Sequence, residues 1–277
     1  MTRPDGPGDR PAGDRGSGLD LLGICLAFPQ RDGGELPVLD DVSLRVAPGE
    51  FVSVVGASGC GKTTLLRIAN GLARPDRGEV RVGGQPLRGP SPKQAFVFQE
   101  DLLLPWRSVL ANVLFPLELR HTAGGEARER AARLLRTVGL AGFERSYPHE
   151  LSVGMRQRVN LARALVVEPG VLLMDEPFAA LDAQTREILQ DELLRLWDMD
   201  RKTVLFVTHQ IDEAVYLSDR VVVLSTRPAR VREVVEIDVP RPREPSLKRS
   251  GSLGGYVEHI WSLIADEARR MSWSAPG

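Results

Sequence analysis

The stretch Gly56-Ala57-Ser58-Gly59-Cys60-Gly61-Lys62-Thr63-Thr64 follows the spacing G-x-x-x-x-G-K-[ST], a pattern that wraps phosphate. Its glycines let successive backbone N–H groups curl around one anion, and the helix that follows adds the positive end of its dipole. Lys62 supplies a charge for β- and γ-phosphates, and the Thr63 hydroxyl suits Mg²⁺. Cys60 reads as a small filler of the loop. Further on, Val171-Leu172-Leu173-Met174 runs apolar into Asp175 and Glu176. Acids at the carboxyl end of a buried strand stand where open α/β sheets bind ligands. Asp175 suits Mg²⁺, directly or through water, and Glu176 suits an attacking water; a plain acidic turn is the alternative. His209 ends the apolar run "TVLFVTH" on the same expected rim, where it can hydrogen-bond a γ-phosphate. Gln99 ends "AFVFQ", at a place suited to touching Mg²⁺ or water. Taken alone, either residue is equally well explained as structural.

For these groups to meet, several strands must end at one rim. "LDLLGICLAF" and "PVLDDVSLRVAPGE" read as paired strands, and "FVSVVG" as a strand buried on both faces. "KTTLLRIANGL" has helical periodicity ending at Gly71, and "GEVRVGG" and "QAFVFQ" add strands. From about Glu100 to Val159 helical segments such as "EARERAARLLRTVGL" dominate. Strands and helices then alternate again through "VLLMDEP", "TREILQDELLRLWDMD", "TVLFVTH", "IDEAVYLS" and "RVVVLS", which predicts a parallel sheet covered by helices. The expected division is an α/β core over residues 19–98 and 157–243, interrupted by a helical subdomain over 99–156. A Pro/Gly/Asp-rich stretch, residues 1–18, reads as a disordered tail. Residues 244–277 read as a linker and a packed helix with Tyr256, Ile260, Trp261 and Ile264 on one face.

Across 277 residues, 36 basic groups balance 37 acidic ones, so the charge offers no footprint for nucleic acid. Only Lys62, Lys93, Lys202 and Lys248 are lysines, which makes a lysine inside a phosphate loop stand out. Cys25 and Cys60 form no metal-spaced pair and read as reduced thiols. No apolar run is long enough to span a bilayer.

The phosphate loop, Gln99, "LSVGMRQR", "LLMDEP", Ala180-Leu181-Asp182 and His209 occur in the order found in ABC transporter ATP-binding subunits, which the chain resembles over roughly Leu19 to Arg243. The resemblance implies a RecA-like P-loop NTPase core with an antiparallel β subdomain and a helical insertion. It also implies ATP and Mg²⁺ as cofactors, with Thr63, Gln99 and Asp175 around the metal and Glu176, His209 and Gln99 in hydrolysis. Phe28 would stack on adenine, with a core phenylalanine as the alternative, and Asp182 would organise a dimer contact. "FQEDLLLPWRSVLANVLFPLEL", "YPHELS" and "DEAVYLSDRVVVLSTRPARV" are similar to importers of nitrate, aliphatic sulfonates and taurine. Implied partners are a second copy arranged head to tail, two permease subunits at the cytoplasmic face of the membrane, and an extracytoplasmic substrate-binding protein. A groove beside Gln99 would receive a permease helix, with Leu104 and Trp106 as lining candidates or as buried packing.

One position departs from that pattern. The family's Leu-Ser-Gly-Gly, which faces the partner's ATP, is here Leu151-Ser152-Val153-Gly154. Valine fits if its φ is negative, and costs about 1–3 kcal/mol if φ is positive. The residues therefore leave two readings open, a working ATPase and a nucleotide-binding regulatory subunit. A soluble ABC-type ATPase of DNA repair or translation is disfavoured by the single ATP unit and the balanced charge.

Overall fold

The computed structural model describes residues 17–31 and 33–273, with side chains through residue 266. The expected tail lies outside the described residues except for Ser17 and Gly18. The first sheet begins with β1 (Leu19–Pro29) running antiparallel to β2 (Glu35–Val46). In β1 the buried positions switch from Leu19 and Leu21 to Ile24 and Leu26 across a register shift. Gly23, at φ 59°, sits inside that bulge, where an L-side chain would be strained.

Next comes β3 (Phe51–Val55), buried at every position, and then the phosphate loop and α1 (Lys62–Ala69). β4 (Arg77–Val82) pairs with β1 and the two-residue β5 (Gln85–Pro86), which gives the antiparallel order β2-β1-β4-β5. β6 (Gln94–Val97) belongs to the other sheet.

Helices fill the middle of the chain, as the periodicity predicts: α2 (Val109–Leu119), α3 (Gly125–Thr137) and α4 (Val153–Leu165). They share an apolar cluster containing Val109, Val113, Leu117, Ala131, Leu135 and Val159. The expected border at residues 156 and 157 falls inside α4. That helix turns Val159 and Ala162 to the helical cluster and Leu161 and Ala164 to the main core, so one continuous helix serves both units.

The alternation then resumes with β7 (Val171–Asp175), α5 (Ala183–Asp200), β8 (Thr203–Val207), α6 (Ile211–Leu217) and β9 (Arg220–Leu224). The second sheet has the order β10-β9-β3-β8-β7-β6, and all its pairs are parallel except β10 with β9. β10 (Val231–Glu236) was absent from the sequence reading; only its Val235 is buried, so its apolar pattern is faint. α7 (Gly254–Trp273) packs Ile260 into the core with Tyr256, Val257 and Ile264. Trp261 is 57% exposed and does not share that face, because one helical step of about 100° carries it past the buried stripe.

Candidate active site

The carboxyl ends of β3, β7 and β8 lie side by side because these strands are neighbours in a parallel sheet. This is the position where doubly wound sheets take ligands. A cleft of about 320 Å³ opens there, lined by Phe28, Leu36, Val38, Ser58, Gly59, Gly61, Lys62, Thr63, Thr64, Glu176 and Arg227. Residues far apart in the chain therefore form one pocket, whose lining includes an exposed aromatic and much of a phosphate loop.

Gly59 and Gly61 have φ of 72° and 118°, which lets the loop curl without steric cost. At Gly61 a Cβ would stand 2.9 Å from Val38 Cγ1, so the antiparallel sheet packs directly on the loop. Gly56, Ala57 and Cys60 do not line the cleft; the first two hold its lysine, since Lys62 Nζ donates to the Gly56 and Ala57 carbonyls at 2.9 and 3.0 Å. Cys60 is buried, and burial pushes its thiol pKa up, in keeping with a filler.

Thr63 Oγ1 donates to Asp175 Oδ1 at 3.0 Å. Burial raises the Asp175 pKa, and the Thr63 hydrogen bond opposes that rise. A hydroxyl beside a carboxylate at a phosphate loop is an all-oxygen donor set, which fits Mg²⁺ held by a few protein groups and a phosphate. Glu176 adopts φ 44°, and its backbone N–H donates to Val207 O at 2.8 Å. A non-glycine residue held in the left-handed region is a strained feature characteristic of functional sites. Its carboxylate meets His209 Nδ1 at 2.9 Å.

Behind His209 lies a network with no clear sequence signal. Glu213 accepts hydrogen bonds from Thr208 Oγ1 and from Gln190 Nε2, and Gln210 N–H donates to Thr208 Oγ1 at 3.0 Å. The segment that carries His209 is thereby fastened to α5 and α6.

Gln99 is exposed and does not line the cleft; it follows Phe98 beyond the end of β6, the strand next to β7. The turn after it is tied to α4, because Arg156 Nε donates to Asp101 Oδ2 at 2.8 Å and Arg163 Nη2 to Asp101 O at 2.6 Å. The adjoining groove, about 350 Å³, is lined by Phe98, Leu102, Phe115 and Leu119 among others. Leu104 and Trp106 are not among its lining residues. Leu104, in the loop ahead of α2, is held by Asn112 of that helix, whose Oδ1 accepts from Leu104 N at 2.8 Å, and Trp106 is exposed outside the groove.

None of Leu151, Ser152, Val153 or Gly154 lines the cleft. Leu151 is buried, and Ser152 caps α4 by accepting from Met155 N at 3.2 Å. Val153 is the first residue of α4, has no positive φ, and is 44% exposed. Gly154 is the constrained position: a Cβ there would stand 2.7 Å from Thr185 Cγ2. Asp182 caps α5 by accepting from Thr185 N at 3.0 Å, which lowers its pKa.

Leu36, Val38 and Arg227 are cleft residues that the sequence reading missed, and Arg227 is the one among them that carries a charge. The signal that could have found it is its place just beyond β9, at the carboxyl end of a strand paired with β3.

Comparison with known proteins agrees with this geometry. The family model described as ABC transporter matches residues 39–179. An uncharacterised ABC transporter ATP-binding protein of Methanocaldococcus jannaschii is 51% identical over 236 residues, covering 85% of this chain and 87% of the relative. An aliphatic sulfonates import ATP-binding protein of Bacillus licheniformis is 48% identical over 206 residues, covering 74% and 80%. A solved dimeric ATP-binding cassette in a post-hydrolysis state with ADP and Pi superposes with a TM-score of 0.71 at 32% identity, covering 80% of this chain and all of that one. The chain is an ATPase with the P-loop cassette fold, and it belongs to the ABC transporter ATP-binding family.

Proposed function

We propose that this ATPase powers import of a small anion or sulfonate, working as a head-to-tail pair of copies on two permease subunits at the cytoplasmic face of a membrane. The observation that carries the reading is the separation of parts within one chain. The phosphate loop, Asp175, Glu176 and His209 gather at one rim, while the Ser152–Gly154 turn lies outside that cleft. A second copy facing the first brings its α4 N-terminus to the phosphates, and an exposed helix N-terminus suits a phosphate. The relatives named as aliphatic sulfonate importers supply the substrate class, and an extracytoplasmic binding protein would deliver it. Among the described residues no helix is long and apolar enough to cross a membrane, so the membrane path belongs to the permeases, which dock at the groove lined by Leu102 and Leu119.

In the reaction, backbone N–H groups of the loop and Lys62 hold the phosphates. Thr63 and Asp175 would hold Mg²⁺, which would neutralise phosphate charge. Glu176 orients a water for in-line attack on the γ-phosphorus and takes its proton as the bond to the ADP oxygen breaks. His209, held against Glu176 through Nδ1, keeps that carboxylate aimed. Gln99 closes on this centre as the helical unit moves, since its turn is tied to α4 through Asp101. Phe28 stacks on the base.

The ordinary backbone of Val153 favours turnover over a purely regulatory role. The test is ATP-driven dimerisation of Glu176→Gln, followed by light scattering. A dimer that appears with ATP and dissolves with ADP is expected. A variant that binds ATP and stays monomeric refutes the head-to-tail arrangement. For the substrate, the pair assembled with its permeases should hydrolyse ATP faster when an aliphatic sulfonate is supplied with the binding protein; indifference to sulfonates and nitrate refutes that class.

A further inference from the structure

The turn that follows β9 projects a cation into the nucleotide cleft. Arg227 lines the same pocket as Ser58, Gly59, Lys62 and Thr63, and its Nη2 stands 3.7 Å from where a Cβ on Gly59 would lie. Among the described residues its guanidinium has no hydrogen-bond or ion-pair partner, whereas the next arginine along, Arg230, is paired with Asp40 at 2.5 Å. Arg227 and Lys62 are the two cations in the lining and Glu176 its one carboxylate. A nucleoside triphosphate brings several negative charges to this space, and Lys62 already spends donors on the Gly56 and Ala57 carbonyls.

The turn is also held in place. Ala229 N–H donates to Val38 O at 2.8 Å, and Asp40 N–H donates to Ala229 O at 2.9 Å, which joins the turn to β2 of the other sheet. Within the turn, Ser225 N–H donates to Arg230 O and Arg230 N–H to Ser225 Oγ, both at 2.9 Å. Val38, the residue that anchors the turn, itself lines the cleft beside Gly61. The arginine is therefore carried on a bracket between two sheets, and little backbone ordering remains when a ligand arrives. A guanidinium presented in this way suits phosphate oxygens, which it can bind through two parallel N–H donors.

We infer that Arg227 is a second cationic ligand of the nucleotide phosphate chain, acting from the side of the loop opposite Asp175 and setting affinity for polyphosphate rather than for the base. The inference rests on the nucleotide-binding reading of this cleft and adds to it a residue from outside the phosphate loop.

The test is equilibrium binding of ATP and of inorganic tripolyphosphate to the full chain, comparing wild type, Arg227→Met and Arg227→Lys. Loss of a charge-assisted contact predicts weakening of both ligands by about ten- to hundredfold in Arg227→Met, with part of the loss recovered in Arg227→Lys. Melting of the ligand-free chain should be unchanged, since the guanidinium has no protein partner. Three results overturn the inference: equal ATP affinity in wild type and Arg227→Met, a loss confined to ATP and absent for tripolyphosphate, or early melting with equal losses in both variants. Failure of wild type to bind either ligand would instead overturn the nucleotide reading beneath it.

Discussion

Val153 and Gly154 occupy adjacent places in one helical turn, and the structure assigns them opposite tolerances. Val153 begins α4 with no positive φ and a partly exposed side chain, so Val153→Gly relieves no strain. It exchanges one poor helix former for another, a difference of about 0.4 kcal/mol, or roughly twofold in rate if all of it reached the transition state. A strained valine would behave differently, since relief of about 1–3 kcal/mol would speed turnover about 5- to 150-fold.

At Gly154 a new methyl group would stand 2.7 Å from Thr185 Cγ2, where carbon contacts ordinarily settle at about 3.5–4.0 Å. The α4 turn and the start of α5 would have to part by about 1 Å, at an overpacking cost of about 1–3 kcal/mol. Gly154→Ala should therefore lower ATP turnover several-fold or more. Adding Thr185→Ser removes the offending methyl, keeps the hydroxyl, and should restore most of the loss. The assay is steady-state ATP hydrolysis by the assembled transporter with Glu176→Gln as the blank, alongside melting curves for each variant. A gain above about tenfold in Val153→Gly would refute the backbone argument. Wild-type behaviour of Gly154→Ala, or no rescue by Thr185→Ser, would refute the steric one.

Other expectations follow from the same geometry. Phe28, 46% exposed and part of the cleft lining, should lose about five- to hundredfold in ATP affinity as Phe28→Ala and little as Phe28→Tyr, read by nucleotide titration. Unchanged affinity would remove the base from Phe28. Glu176→Gln should cut turnover by at least about a hundredfold while keeping ATP affinity within a few-fold, and a comparable loss of binding would count against a role confined to the water. Burial holds the Glu213 pKa above its usual value against the hydrogen bonds from Thr208 and Gln190. The folded chain therefore binds that proton more tightly than the unfolded one. The destabilisation is absent below the unfolded carboxylate pKa, grows as pH rises, and is complete above the raised folded value. Glu213→Gln should melt above wild type at neutral pH, with the gap closing toward about pH 4 to 5, and a gap that stays constant with pH would refute the assignment.

How much of this could be read from residue order depends on the range of the forces involved. The phosphate loop was legible because its needs are local: glycines at fixed offsets, one lysine and one hydroxyl, between a buried strand and a helix. The parallel sheet was legible because β3, β7, β8 and β9 are short runs buried on nearly all sides. β10 was missed because one buried valine leaves almost no pattern, and Trp261 was misplaced because a single helical step separates a buried face from an open one.

The tertiary structure decided what depends on distance between remote segments. The 34 positions between Phe28 and Thr63 say nothing of how the two come to line one cleft, and only packing of one sheet against the loop brings them together. Arg227 reaches the cleft because its turn is pinned to β2, a pairing between residues as remote as Val38 and Ala229. The tolerance of Val153 and the intolerance at Gly154 were equally hidden. Backbone conformation and a neighbour's methyl group set them, and neither quantity is encoded in the identity of the residue itself. Local chemistry is specified by residue type and spacing, while steric room and convergence arise only when the chain folds back on itself.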